Sequence, residues 1–116
     1  MKKLQISDSK ILKTLKNKKS FVEKVIREST IESKTVNYAK SKGWLVYKFT
    51  SPANRAVPDR IFIRHSIVFF IEFKAPGKKP TKLQKKVHDD INSHHVPVYV
   101  IDSFSLGKEL IDTFEE

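Results

Sequence analysis

The 116-residue chain contains no cysteine, so neither a disulfide framework nor a thiolate metal site is open to it, an absence that suits a cytosolic protein. It holds no apolar run of membrane-spanning length, and its basic beginning lacks the uninterrupted apolar stretch of a signal peptide, so a cytoplasmic, non-secreted protein with no membrane contact is expected. Internal repeats and low-complexity linkers are missing too. Acids are scarce: 13 Asp and Glu stand against 23 Lys and Arg, for a formal charge of +10. That balance favours a polyanionic partner such as nucleic acid, although a solvated basic surface or a ribosome-associated protein would share it. What is present, 39% apolar and 10% aromatic residues, suffices for one modest core. A second full domain does not fit.

Two regions are expected. Residues 1–19 carry seven lysines and one acid, Asp8, and read as a basic arm. The arm is either a short helix capped by Asp8 or Ser9, with Ile11, Leu12 and Leu15 as its apolar face, or a segment that orders on a partner. Residues 20–116 read as a single domain. Helical periodicity runs through Phe21, Val25 and Ile26 and again through Ile31, Val36 and Ala39, with Ser29 and Thr30 either dividing the two pieces or lying inside one helix. Ser29 followed by Glu32 has the form of a capping box, and Gly43 terminates the run.

Residues 44–50 form a strand, on which Trp44, Tyr47 and Phe49 read as core aromatics ahead of the other reading, base-stacking platforms. Residues 51–57, with Pro52, Asn54 and Arg55, form a loop. Two β-rich runs on either side of His65-Ser66 follow, then the loop at residues 75–80. Leu83, Val87 and Ile91 recur at helical spacing from Thr81, or from the proline before it, to about His95. Residues 96–101 make a strand and 106–114 a closing helix. The order α, β, β, β, α, β, α includes one strand, helix, strand crossover, which implies a mixed α/β sheet covered by helices.

The chemistry concentrates in Pro58-Asp59 and Glu72-Phe73-Lys74. If His65 and Ser66 are a two-residue turn, Asp59 faces Glu72, Ile61 faces Phe70 and Ile63 faces Val68. His-Ser matches the Asn-Gly chemistry of primed turns poorly, and a four-residue loop would leave the acids on the same face. Phe70, Glu72 and Lys74 share one face of the second strand. Facing carboxylates repel unless a cation sits between them, so the pattern reads as a metal-dependent phosphodiesterase site. The plain alternatives are a strand start at Asp59 and a solvated edge pair at Glu72 and Lys74. His65, His88, His94 and His95 lack partners at zinc spacing apart from the His94-His95 dipeptide, which suits a helix C-terminus, and no metal is assigned to them.

These residues resemble the PD-(D/E)xK nuclease core and, more narrowly, the virus-type replication-repair nuclease (VRR-NUC) domain. The resemblance rests on Ile31-Glu32, Lys42-Gly43-Trp44, Arg55-Ala56-Val57-Pro58-Asp59-Arg60, Phe70-Ile71-Glu72-Phe73-Lys74-Ala75 with Gly77-Lys78, and Gln84 with His88. It departs at Ala56, where members commonly carry glycine, and the lysine-rich arm lies outside it. It implies a restriction-endonuclease-like core with a mixed sheet of about four strands flanked by helices. Asp59 and Glu72 would be ligands of Mg²⁺ or Mn²⁺, joined by the Phe73 backbone carbonyl. Lys74 would position or polarise the attacking water, Glu32 would reach the metal through water, and Gln84 would order the site.

Arg55, Lys78, Lys79, Lys82, Lys85 and Lys86 are the candidate DNA contacts. For Lys85 and Lys86 a solubilising helix face is an equal reading. No base-reading motif is visible, which favours recognition of DNA shape. The expected activity is metal-dependent endonucleolytic cleavage of branched DNA, such as a Holliday junction, by a phage-type homodimer. The alternatives are a less specific nicking or restriction-like nuclease, and a nuclease fold that binds DNA without cutting it.

Overall fold

Helix α1 (Glu28–Ser41) buries Ile31, Thr35, Val36 and Ala39 along one stripe, the spacing that a 3.6-residue repeat places on one face. The computed structural model describes residues 26–115. The expected arm at residues 1–19 and the apolar positions Phe21 and Val25 lie outside that range. The expected capping box does not form: the N-cap is Arg27, without a side-chain bond, and Ser29 sits in the first helical turn. Glu32 turns instead to Arg60, whose Nε donates to its Oε2 at 2.7 Å. At the far end Gly43 takes a φ of +90°. Its N–H reaches the Lys40 carbonyl at 3.0 Å while the Trp44 N–H reaches that of Ala39 at 3.1 Å, the paired bonds of a Schellman ending.

The strands are β1 (Leu45–Lys48), β2 (Arg60–Arg64), β3 (Ile67–Phe73) and β4 (Val98–Ile101). They form one sheet in chain order, antiparallel from β1 to β3 and parallel between β3 and β4. The parallel step is carried by α2 (Lys82–Ser93), and α3 (Phe104–Thr113) closes the chain. This is the expected mixed α/β sheet flanked by helices. Ile61 pairs with Phe70 and Ile63 with Val68, the register expected for a two-residue turn. His65 and Ser66 both adopt positive φ, 47° and 70°, as a type I′ turn requires. The hairpin closes without glycine, and the four-residue loop is not used.

One sheet face meets α1 and α3. Trp44, Val46, Phe62, Phe69, Ile71, Phe73 and Ile101 are buried there, with Phe62 stacked on Phe69 at 5.1 Å between centroids. The two helices touch closely at Gly107 and Thr35, and the Tyr38 hydroxyl donates to Asp112. The other face is only partly covered. Tyr47, expected in the core, is 58% exposed: it lies three positions from Trp44, and strand alternation sends the two rings to opposite faces. Phe49 is half-buried against Phe70, at 4.9 Å.

Element limits shift by a residue or two for local reasons. Trp44 is taken into the ending of α1, which shortens β1, although the Phe49 N–H still donates to the Asp59 carbonyl at 2.9 Å. Ser103 caps α3 through the Leu106 N–H at 3.1 Å, so that helix begins at Phe104 rather than Leu106. Among the described residues no helix is long and apolar enough to cross a membrane.

Candidate active site

Pro58, which is fully buried, sets the backbone just ahead of β2. Arg60 pairs with Ile71, yet the Asp59 N–H also reaches the Ile71 carbonyl, at 3.1 Å. Two residues therefore face one, a bulge of the kind that re-aims a side chain. It turns the Asp59 carboxylate toward the end of β3, where Oδ2 accepts the Phe73 N–H at 2.7 Å.

Glu72 is 2% exposed. Its Oε2 accepts from Gln84 Nε2 at 2.8 Å and lies 3.2 Å from Lys74 Nζ. Its Oε1 is buried and has no hydrogen-bond partner, a costly state for a carboxylate oxygen. Burial, and after it the charge of Asp59, pushes the Glu72 carboxyl up to about 7. Asp59 is raised in the same way, chiefly by burial, with the Phe73 N–H acting against the shift and Glu32 adding to it. Burial and the neighbouring acids thus outweigh the one ammonium at hand, Lys74, and leave the pair short of positive charge. A hard divalent cation fits there: two carboxylates from adjacent strands and an unsatisfied buried oxygen are the donors that Mg²⁺ or Mn²⁺ takes. Among the described residues no three His, Cys, Asp or Glu side chains group closely enough to hold an ion by themselves. Backbone oxygen, water and a substrate phosphate would have to complete the set, as is usual for Mg²⁺.

Gln84 ties these groups to a helix start. Its Oε1 accepts from Lys74 Nζ at 2.7 Å and from the Thr81 N–H at 3.0 Å, while its own N–H donates to Thr81 Oγ1 at 3.1 Å. The reciprocal pair is a capping box, so Thr81, rather than Pro80, caps the start of α2. One turn on, His88 is buried with Nε2 unpartnered. Burial, then the charge of Lys74, lowers its pKa.

The structure therefore gathers Asp59, Glu72, Lys74 and Gln84. Glu32 is held at one remove by Arg60, and its charge reaches Asp59. Glu28 is an acid that the sequence motifs do not single out. Its carboxyl is raised by partial desolvation and then by Asp59, with Lys74 opposing the shift, and its charge in turn raises Glu72. The available signal was its spacing: Glu28 and Glu32 are four apart and share one helix face.

Arg55, Lys78, Lys79, Lys82, Lys85 and Lys86 are all exposed. Lys86 leans toward Asp90 at 3.5 Å, which favours the helix-face reading for it. Ala56 fits its loop without the freedom of glycine. It is buried, donates its N–H to Asn54 Oδ1 at 3.0 Å, and is not among the residues of positive φ.

No family model matches the sequence. The chain is 39% identical over 88 residues to "Putative nuclease p44" of Acyrthosiphon pisum secondary endosymbiont phage 1, an alignment spanning 75% of this chain and 95% of that protein. A solved structure described as a VRR_NUC domain matches the fold with a TM-score of 0.70 at 22% identity, covering 76% of this chain and 97% of that one. Identity sustained across nearly the whole of one relative, on a fold shared with a solved domain, agrees with the motifs around Asp59 and Glu72: the chain belongs to the VRR-NUC family.

Proposed function

We propose that this protein is a divalent-metal-dependent endodeoxyribonuclease that cuts branched DNA as a homodimer, acting in the cytoplasm of a prokaryotic or phage-infected cell. The observation that carries the reading is Glu72. A fold gains nothing from burying a carboxylate with one oxygen unsatisfied beside a second acid unless an ion completes the site.

Asp59 and Glu72 would hold Mg²⁺ or Mn²⁺, with the Phe73 carbonyl as a further oxygen and Glu28 and Glu32 acting through water. Bound there, the metal would supply Lewis acidity to the phosphate and lower the pKa of the attacking water. Lys74, anchored by Gln84 and paired with Glu72, orients that water and offsets the negative charge that grows on the phosphate oxygens. Gln84 holds both partners at fixed separation, so little reorganisation is needed during reaction. The exposed lysines beyond Lys74 and the arm at residues 1–19 contact phosphates irrespective of sequence. A four-way junction needs paired cuts, and one such chain has one acid pair, hence the homodimer.

Labelled duplex, flap and four-way DNA incubated with Mg²⁺, Mn²⁺ or excess chelator test the reading. Metal-dependent cleavage is expected, fastest on branched substrates, and lost in Asp59→Asn while DNA binding persists. Full activity in chelator, or in that variant, would refute the metal site. Equal rates on duplex and branched DNA would favour a nicking enzyme. A heterodimer with one Asp59→Asn subunit should cut one strand per binding event, and a monomer on the junction in sedimentation would remove the dimer.

A further inference from the structure

Phe49 stands opposite Asp59 across the sheet. Lys48 pairs with Arg60, and the Phe49 N–H donates to the Asp59 carbonyl at 2.9 Å, which makes the two residues cross-strand neighbours. Both line one open cavity of about 320 Å³, together with Asn54 and Arg55 from the loop ahead of β2. Asn54 spends its Oδ1 on the Ala56 N–H, which leaves its amide nitrogen as a donor. Arg55 is exposed and carries a permanent positive charge. Two residues along the same face, Tyr47 is 58% exposed.

We propose that this cavity receives the nucleobase beside the scissile phosphate, unstacked from its helix and laid against the Phe49 ring. The inference rests on the nuclease reading and gives that reading a physical source for its preference among DNA structures. The cavity is at the small end of ligand pockets, a size that suits one base. One wall is an acid of the proposed metal site, which ties any occupant to the phosphate being cut. An aromatic face accepts every base alike, consistent with the lack of a base-reading motif, and a lone amide donor finds an acceptor on the edge of any base. The Asn54 amide meets the edge of the base, and Arg55 meets the next phosphate. A branch point supplies unstacked nucleotides at little cost, whereas intact duplex must first lose a base pair and its stacking. Selectivity for branches then resides in filling this pocket.

The test uses the full chain with four-way junctions carrying 2-aminopurine at each nucleotide around the crossover in turn, in excess chelator so that nothing is cut. Binding should raise the fluorescence several-fold at one position, as unstacking does. Phe49→Leu keeps an apolar contact with Phe70 but removes the ring. It should stay folded and, on saturated junction, lose the rise, with affinity lowered about 5- to 100-fold, since stacking is the interaction deleted. With metal, unpairing that nucleotide in a duplex should speed the parent by about tenfold or more and Phe49→Leu by much less. Should Phe49→Leu prove unstable, Asn54→Ala, on an exposed loop, takes its place: it keeps the ring and removes the edge contact, so the rise should shrink without vanishing. Bound DNA with no rise at any position, or a variant with the parent's rise, overturns the pocket. Cleavage without a rise removes the pocket and leaves the nuclease standing. A rise without metal-dependent cleavage keeps the pocket and removes the nuclease reading.

Discussion

Gln84 Nε2 donates to Glu72 Oε2 at 2.8 Å while the same carboxamide accepts from Lys74 and from the Thr81 N–H, so one side chain both caps α2 and fixes the spacing of an acid and a lysine. The two roles are separable. Gln84→Glu keeps the acceptor oxygens but loses the donor and sets a charge against a buried carboxylate. It should lower the cleavage rate about 10- to 100-fold, the usual loss when a group supporting a metal ligand is removed. Thr81→Ala removes only the cap oxygen and should cost about 1 kcal/mol of stability with turnover near the parent's. Melting temperature and rate at saturating Mn²⁺ check both. Equal losses of rate in the two variants would assign Gln84 to helix placement alone.

Glu72 should make the metal-free protein less stable as pH rises. Its folded pKa, pushed up to about 7, lies above the ordinary value of 4.5, so the folded chain binds this proton more tightly than the unfolded one. Its stabilising effect is complete below pH 4.5 and is lost as pH climbs through about 7. Asp59 is raised too and acts with the same sign. The melting temperature in chelator should fall across that window, and Glu72→Gln should flatten the fall. Mg²⁺ or Mn²⁺ should restore stability most on the alkaline side, because binding requires the deprotonated acids. Calorimetry in buffers of different ionisation enthalpy should detect proton release on metal binding below pH 7 that fades above it. A slope unchanged in Glu72→Gln would rule the acid out as its source.

Glu72 and Lys74 were legible in the sequence because strand parity is a local rule, and the ladder from Ile61 to Phe70 obeys it. Asp59 was legible as an acid at the strand start, although the bulge opposite Ile71 takes it out of the expected register with Glu72. Gln84 was legible only through the family resemblance. What escaped depends on tertiary setting. Glu28 resembles any first-turn acid until the fold brings it within reach of the Asp59 charge. The bulge at Asp59 has no glycine to announce it. Ser29 and Glu32 match a capping box, but Arg60 claims the Glu32 carboxylate and the helix starts earlier. Tyr47 was assigned to the core on residue type, although its offset from Trp44 points it to the other face. His65-Ser66 shows pairing overriding turn preference: apolar strands in register hold two non-glycine residues at positive φ.

The tight contact of α1 with α3 at Gly107 predicts a sharp packing response. A Cβ at Gly107 would fall within 2.8 Å of Thr35 Cγ2, and Thr35 is fully buried, so neither helix can yield without disturbing the core. Gly107→Ala should destabilise by about 1–3 kcal/mol, the range for overpacking. Thr35→Ala removes the atoms in the way, and the double variant should recover part of that loss. A thermodynamic cycle from denaturant unfolding measures the coupling. Strict additivity would show that the helices move apart freely.

Residues 1–19 combine seven lysines with one acid and contain none of the motif residues, which suits phosphate binding through counterion release. Deleting them should leave the metal site intact, so that cleavage of saturating DNA proceeds near the parent's rate. Affinity should fall, and the plot of log binding constant against log salt should become less steep by about 0.9 for each duplex phosphate that the arm no longer neutralises. The opposing possibility is that Leu4, Ile6, Ile11, Leu12 and Leu15 serve packing, either on the domain or on a second copy. Deletion would then lower the melting temperature or dissociate the dimer while leaving the salt slope unchanged. Titrations at several salt concentrations, run beside sedimentation and thermal melts of the same deletion variant, separate the two, because counterion release alters the slope and packing does not.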